Sequence, residues 1–195
     1  DVDLGPLLSL WQRPQRTSLE HCLLYAVSSM RVVDFHSHLF ARPFFEALAA
    51  QSPLAGTVDE KLASVVERTG IELPSADIAS HTRRWLAELD AKGVDHLVTF
   101  ASAPEEIAAI AQATVLANGR ITPMAVCNPL IEGAAAKIDV LLTEKGFRGV
   151  LLFPAMHRYS PSDAACTPLW QVLERHRAVA YVHCGLLVVK LRDLL

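Results

Sequence analysis

The chain has no CxxC pair, no glycine-rich turn after its first strand signal and no cluster of basic side chains, and its apolar runs are short. Each absence removes a class of function. Cys22, Cys127, Cys166 and Cys184 lie far apart, which argues against both a disulfide framework and a zinc knuckle and leads to the expectation of a reduced, cytoplasmic setting. Mean hydropathy is high for a soluble domain, at +0.27, yet no window reaches the roughly 18 uninterrupted apolar residues that a membrane span requires. Eighteen Lys and Arg against 21 Asp and Glu leave a net charge of −3, so neither nucleic acid nor a membrane is an expected partner. The first residues, Asp1-Val2-Asp3, lack the basic start and apolar stretch of a secretory signal. What remains is a 195-residue chain, 51% hydrophobic and 20% charged, with the composition of one globular domain and the length to bury a core.

Residues 1–29 mix apolar and polar residues without period. Two readings stand for them: an extension ahead of a start at Met30, or a short amphipathic helix around Ser18–Val27 that caps one end of the domain. From Arg31 the pattern changes to alternating strand and helix, so residues 31–195 are read as the domain proper. Val32–His36 is a strand signal. Arg42–Gln51 carries apolar residues at helical spacing, and Thr57-Val58-Asp59-Glu60 is a capping box opening a helix that Gly70 closes. Ser75 is expected to open the next helix, which runs through His81, Trp85 and Leu89 to Lys92. Val94–Phe100, Ile121–Val126, Phe147–Phe153 and Val179–His183 read as further strands. The helices between them start at Pro104, Gly133 and Pro168. Near-continuous apolar strands without hairpin turns imply an α/β fold with a parallel sheet. The strands start roughly 26–32 residues apart from the second onward, the size of one βα unit. That spacing suits an open sheet and a closed barrel alike. The missing phosphate-binding glycines favour the barrel, and because a closed (β/α)8 barrel takes about 250 residues, about five of its eight units are expected here.

In such folds chemistry gathers where strands end. The first strand ends in His36-Ser37-His38, and strand alternation puts both imidazoles on one face with Asp34 one step deeper. The fifth ends in Tyr181-Val182-His183-Cys184-Gly185. Neutral imidazole is the commonest ligand for zinc and suits related metals. His36, His38 and His183 are therefore candidate metal ligands, and three protein ligands plus water form the open, catalytic kind of zinc site. Asn128, after the third strand, and His157, after the fourth, are candidate substrate contacts, with loop capping as the alternative. Asp34 is a candidate for orienting a histidine from behind. His81, His96, His176 and His21 read as structural or solvated, and Trp85, Leu86 and Leu89 as helix packing.

Val32-Val33-Asp34-Phe35-His36-Ser37-His38, Gly146-Phe147-Arg148-Gly149-Val150 with Pro154, and Tyr181-Val182-His183-Cys184-Gly185 occur in the order seen in the amidohydrolase-related family. Over residues 31–195 the chain resembles these metal-dependent (β/α)8 enzymes, which include aminocarboxymuconate-semialdehyde decarboxylase and other non-oxidative decarboxylases beside true hydrolases. The resemblance implies His36, His38 and His183 as ligands of a divalent metal, zinc being expected. It places the family's catalytic histidine and its aspartate ligand beyond Leu195. Dinuclear relatives use a lysine on the fourth strand. Val150-Leu151-Leu152-Phe153 has none, so one metal is expected rather than two.

The expected activity is hydrolysis or non-oxidative decarboxylation of a small carboxylated, amide or lactone substrate, in a chain that could also form homo-oligomers. Two rivals stand beside it. A phosphoesterase or nuclease barrel would supply further carboxylate or histidine ligands from the middle strands, and the ends of strands two to four carry none. A catalytically incomplete fragment would act as an interaction or self-associating module through exposed strand edges.

Overall fold

The computed structural model describes residues 30–185. The chain divides into two compact units, Asp1–Val32 and Val33–Leu195, and the fold described below is that of the second. Residues 1–29 and 186–195, including the expected leader and His21, lie outside the described residues.

Five strands, β1 Val33–Ser37, β2 His96–Phe100, β3 Ile121–Cys127, β4 Gly149–Leu152 and β5 Val179–Val182, form one sheet. Every pairing is parallel, and the order across the sheet is the order along the chain. A doubly wound sheet would reverse direction part-way. This one does not, and it curls as the first five strands of a (β/α)8 barrel.

The helices are α1 Arg42–Gln51, α2 Val58–Thr69, α3 Ile78–Lys92, α4 Ile107–Leu116, α5 Ala134–Glu144, the single turn α6 Pro154–His157, and α7 Thr167–His176. Their ends follow local chemistry. Thr57 Oγ1 accepts the N–H of Glu60 while Glu60 Oε2 accepts the N–H of Thr57, which completes the expected capping box of α2. The start of α3 differs from expectation. Asp77, not Ser75, is its cap, because the Asp77 carboxylate accepts the N–H groups of both Ala79 and Ser80, whereas the Ser75 hydroxyl accepts only from Asp77 itself.

Three strands are shorter than their apolar runs. The N–H of Val94 bonds back to Leu89 at the end of α3, and that of Phe147 to Leu141 at the end of α5, so neither joins the sheet. Pro154 starts α6 directly after Phe153 and closes β4. β5 ends at Val182, although the N–H of His183 still donates to Leu152 O at 2.9 Å.

Strand alternation builds two apolar layers. One face carries Val98, Phe100, Met124, Leu151 and Phe153, with Val126 and Tyr181 packed alongside. The other carries Leu97, Ala101, Ile121, Ala125, Cys127, Val150 and Leu152, packed against Ile110 and Ala113 of α4, Ile138 and Leu142 of α5, and Leu169, Val172 and Leu173 of α7. A third, smaller cluster joins α1 and α2 through Ala49, Leu62 and Val65. His176 bonds Asp139 Oδ1, tying α7 to α5, and His96 bonds Thr122 Oγ1 on the neighbouring strand, both in structural roles. The outer strands are less covered: Val33 and Phe35 on β1, and Val179 and Val182 on β5, are exposed.

Candidate metal centre

The carboxyl ends of the strands open into a cavity of about 660 Å³ whose lining includes His36, His38, Ser102, Asn128, His157 and His183. Its walls are apolar: Phe40, Phe44, Leu48, Ile131, Phe153 and Met156. The cavity thus gathers every candidate residue named above except Asp34.

His36 and His38 face one another with ring centroids 5.4 Å apart. The His36 ring meets Tyr181 edge-on at 5.0 Å and Phe100 at 4.8 Å. His38 is stacked on Phe40 at 5.1 Å, with Phe100 on another side at 5.8 Å. The residue after it is held at both backbone groups. The N–H of Leu39 donates to Thr99 Oγ1, and its carbonyl receives Nε2 of His81 and Nε1 of Trp85, both on α3. Buried His81 and the Trp85 stripe are therefore structural, as expected, and their structural task is to fix the exit of β1.

The surroundings of His38 favour its neutral form. Burial lowers its pKa first, and the nearby rings of His36 and His183 lower it further, against a backbone hydrogen bond with Phe100. Nδ1 of His38 lies 2.8 Å from Ser102 Oγ, in hydrogen-bond contact.

The donors suit a divalent transition metal in kind, since they are imidazoles and the surroundings of one of them, His38, favour the neutral form that binds metal. In position they suit it only in part. Among the described residues, no three His, Cys, Asp or Glu side chains converge closely enough to share one ion. His36 and His38 form the pair, and His183 lines the same cavity without closing on them. Among the described residues the His183 ring makes a local hydrogen-bond contact of 3.3 Å to Gly185 O, and it leans on Phe153 at 5.3 Å.

The other candidates have definite places. Asp34 Oδ1 accepts the backbone N–H of His36 at 3.1 Å, and the pairing of β1 with β2 shifts register between Asp34 and Ser37, which interrupts simple alternation there. Asn128 Oδ1 accepts the N–H of Leu130, capping its own turn. His157 stacks on Tyr159 and meets Phe153 edge-on. Burial lowers its pKa, and its Nδ1 is buried with no hydrogen-bond partner among the described residues.

Sequence reasoning missed Ser102 and Glu106. Glu106 is fully buried, its Oε1 accepting the N–H of Ala41 at 2.6 Å and its Oε2 that of Ser102 at 2.7 Å. Burial pushes its carboxyl up to about 7, against the pull of these two donors. The available signal was an acidic pair, Glu105-Glu106, in the short turn that follows Pro104 after the end of β2.

A family model described as amidohydrolase matches residues 33–193. The chain belongs to the amidohydrolase family. No curated protein matches it. Among solved structures it is similar to 5-carboxyvanillate decarboxylase from Sphingomonas paucimobilis, with 20% identity and a TM-score of 0.57, covering 80% of this chain and 52% of that one. It is also similar to the enzyme of that name from Novosphingobium aromaticivorans, solved with manganese and 4-hydroxy-3-methoxy-5-nitrobenzoic acid, with 17% identity and a TM-score of 0.57 over 80% of this chain and 50% of that one. This amidohydrolase-family chain thus spans about half the length of those structures, and the likeness establishes the shared barrel architecture. Among the described residues no helix is long and apolar enough to cross a membrane.

Proposed function

We propose that the chain supplies the amino-terminal part of a metal-dependent enzyme, with His36, His38 and His183 holding one divalent ion, zinc or manganese. The reaction is hydrolysis or non-oxidative decarboxylation of a small carboxylated, amide or lactone substrate. One observation carries the reading: two imidazoles with ring centroids 5.4 Å apart line a cavity that also takes in His183. Membership of the amidohydrolase family supports it, as do the manganese and the nitrobenzoic acid bound in a similar barrel. Such a metal, when bound, polarises a carbonyl or carboxylate and makes water a nucleophile near neutral pH.

The chain's own residues divide the remaining work. Ser102 holds the His38 ring by Nδ1. Phe40, Phe44, Leu48 and Met156 cover the body of the substrate and exclude water from it. His157 and the amide nitrogen of Asn128, both lining the same cavity, supply polar contacts. Asp34 acts on the site through the backbone of His36 rather than through a ring.

Metal analysis of the purified chain beside His36→Ala and His183→Ala tests the proposal. The expected result is near-stoichiometric zinc or manganese in the parent chain and its loss in His36→Ala, with weaker retention in His183→Ala. A parent chain free of both metals, with variants that behave identically, would refute it.

A further inference from the structure

Glu106 is a buried carboxylate for which the proposed chemistry has no use. No Lys or Arg is bonded to it among the described residues; both its oxygens are taken by backbone N–H groups, Ala41 on one side and Ser102 on the other. A carboxylate buried without a cation is costly, so a role in packing alone would be better served by an apolar side chain. What a carboxylate does, and an apolar group does not, is accept from two donors at once. The two donors come from different loops. Ala41 lies just past β1, three residues beyond His38, and Ser102 lies just past β2. Glu106 therefore clamps the exit of β1 to the exit of β2, beside the 2.8 Å contact between Ser102 Oγ and His38 Nδ1.

We infer that Glu106 is a positioning residue for His38: by fixing the backbone of Ser102 it holds the Ser102 hydroxyl against Nδ1, so that the ring keeps its proton there and turns Nε2 to the cavity. Ligating histidines are commonly oriented through their second nitrogen, and here the orienting hydroxyl is itself held by a buried acid. The functional consequence rests on the reading of His38 as a metal ligand, whereas the effect on the ring does not.

The test compares the metal-free full chain with Glu106→Gln, Glu106→Asp and Ser102→Ala, reading the imidazole 15N signals of His38 and His81. Glutamine keeps one acceptor and turns an NH2 towards the other N–H, and aspartate is one methylene short of spanning both donors. In the parent chain His38 is expected as the Nδ1–H tautomer. In Ser102→Ala and both Glu106 variants it shifts towards Nε2–H, while His81, bonded to Leu39 O, keeps its signal. Titration with Mn2+ then shows affinity lower by about tenfold or more in Ser102→Ala and Glu106→Gln. An unchanged His38 tautomer in the Glu106 variants overturns the inference. So does an equal shift of His81, which would mark general loosening of the β1 exit. If neither Glu106 variant folds while Ser102→Ala does, Glu106 is a folding determinant and the positioning role is lost. A parent chain that binds no Mn2+ defeats the proposed metal function, yet the tautomer comparison still decides the role of Glu106.

Discussion

Replacing Gly149 by alanine would drive a methyl group into the backbone of β5. A Cβ built on Gly149 falls 2.1 Å from the carbonyl oxygen of Val179 and 2.9 Å from Met124 Sδ. Contacts below 3.0 Å are essentially never seen for a real Cβ, so the strands must part by about 0.9 Å, and the nearest obstacle is main chain that cannot rotate away. Overpacking of this kind costs about 1–3 kcal/mol. The N–H of Val179, which donates to Arg148 O at 3.0 Å, is beside the clash, and its loss adds about 0.5–1.5 kcal/mol. Together the substitution should destabilise the chain by about 1.5–4.5 kcal/mol, read as a lower urea midpoint at unchanged slope. Because β5 leads into His183, retention of Mn2+ should fall as well. Gly146→Ala is the comparator. Gly146 has open space around its Cβ position and a φ of +75°, so its cost is the left-handed backbone alone, about 1–2 kcal/mol, with no displacement of β5. If Gly149→Ala proves no less stable than Gly146→Ala, the close approach of β4 to β5 is wrong.

Glu106 should leave a signature in the pH dependence of stability. Its folded-state pKa, pushed up to about 7 from the ordinary 4.5, means that the native state binds the proton more tightly, so its contribution is present in full below about pH 4.5 and is lost as pH rises through 7, up to about 3 kcal/mol in all. His38 and His157, lowered by burial, give the opposite slope below 6.5; the measurement is therefore the difference between the parent chain and Glu106→Gln in urea melts from pH 5 to 8, and an absent pH trend in that difference would refute it. Thr57→Ala removes one half of the capping box of α2 and should cost about 1 kcal/mol by the same melts, while metal content stays that of the parent chain; a loss of metal would contradict the placement of α2 away from the cavity.

Much of the scaffold was legible because it is local. Strand and helix alternation, the Thr57 capping box and the apolar run of β4 each depend on residues a few positions apart, and each formed where its pattern lay. The misplaced details were also local contests with a visible winner. Asp77 outcompeted Ser75 because a carboxylate satisfies two helix donors, and β4 stopped early because Pro154 cannot extend a strand ladder. Of the site, the pairing of His36 with His38 followed from their spacing by two.

The sequence by itself determined an α/β chain of parallel strands whose first and fifth ends carry histidine, because periodicity, caps and strand ends are written in neighbouring residues. Only the tertiary structure decided what surrounds those histidines. Ser102 reaches His38 across 64 positions, Glu106 reaches Ala41 across 65, and the rings of Phe100 and Tyr181 close on His36 from two other strands. Burial, which lowers the pKa of His38 and raises that of the Glu106 carboxyl, exists only once those distant segments meet. The same holds for His183. Its place at a strand end was readable, but only tertiary packing makes it line the cavity of His36 and His38, and among the described residues no three ligating side chains converge on one point there.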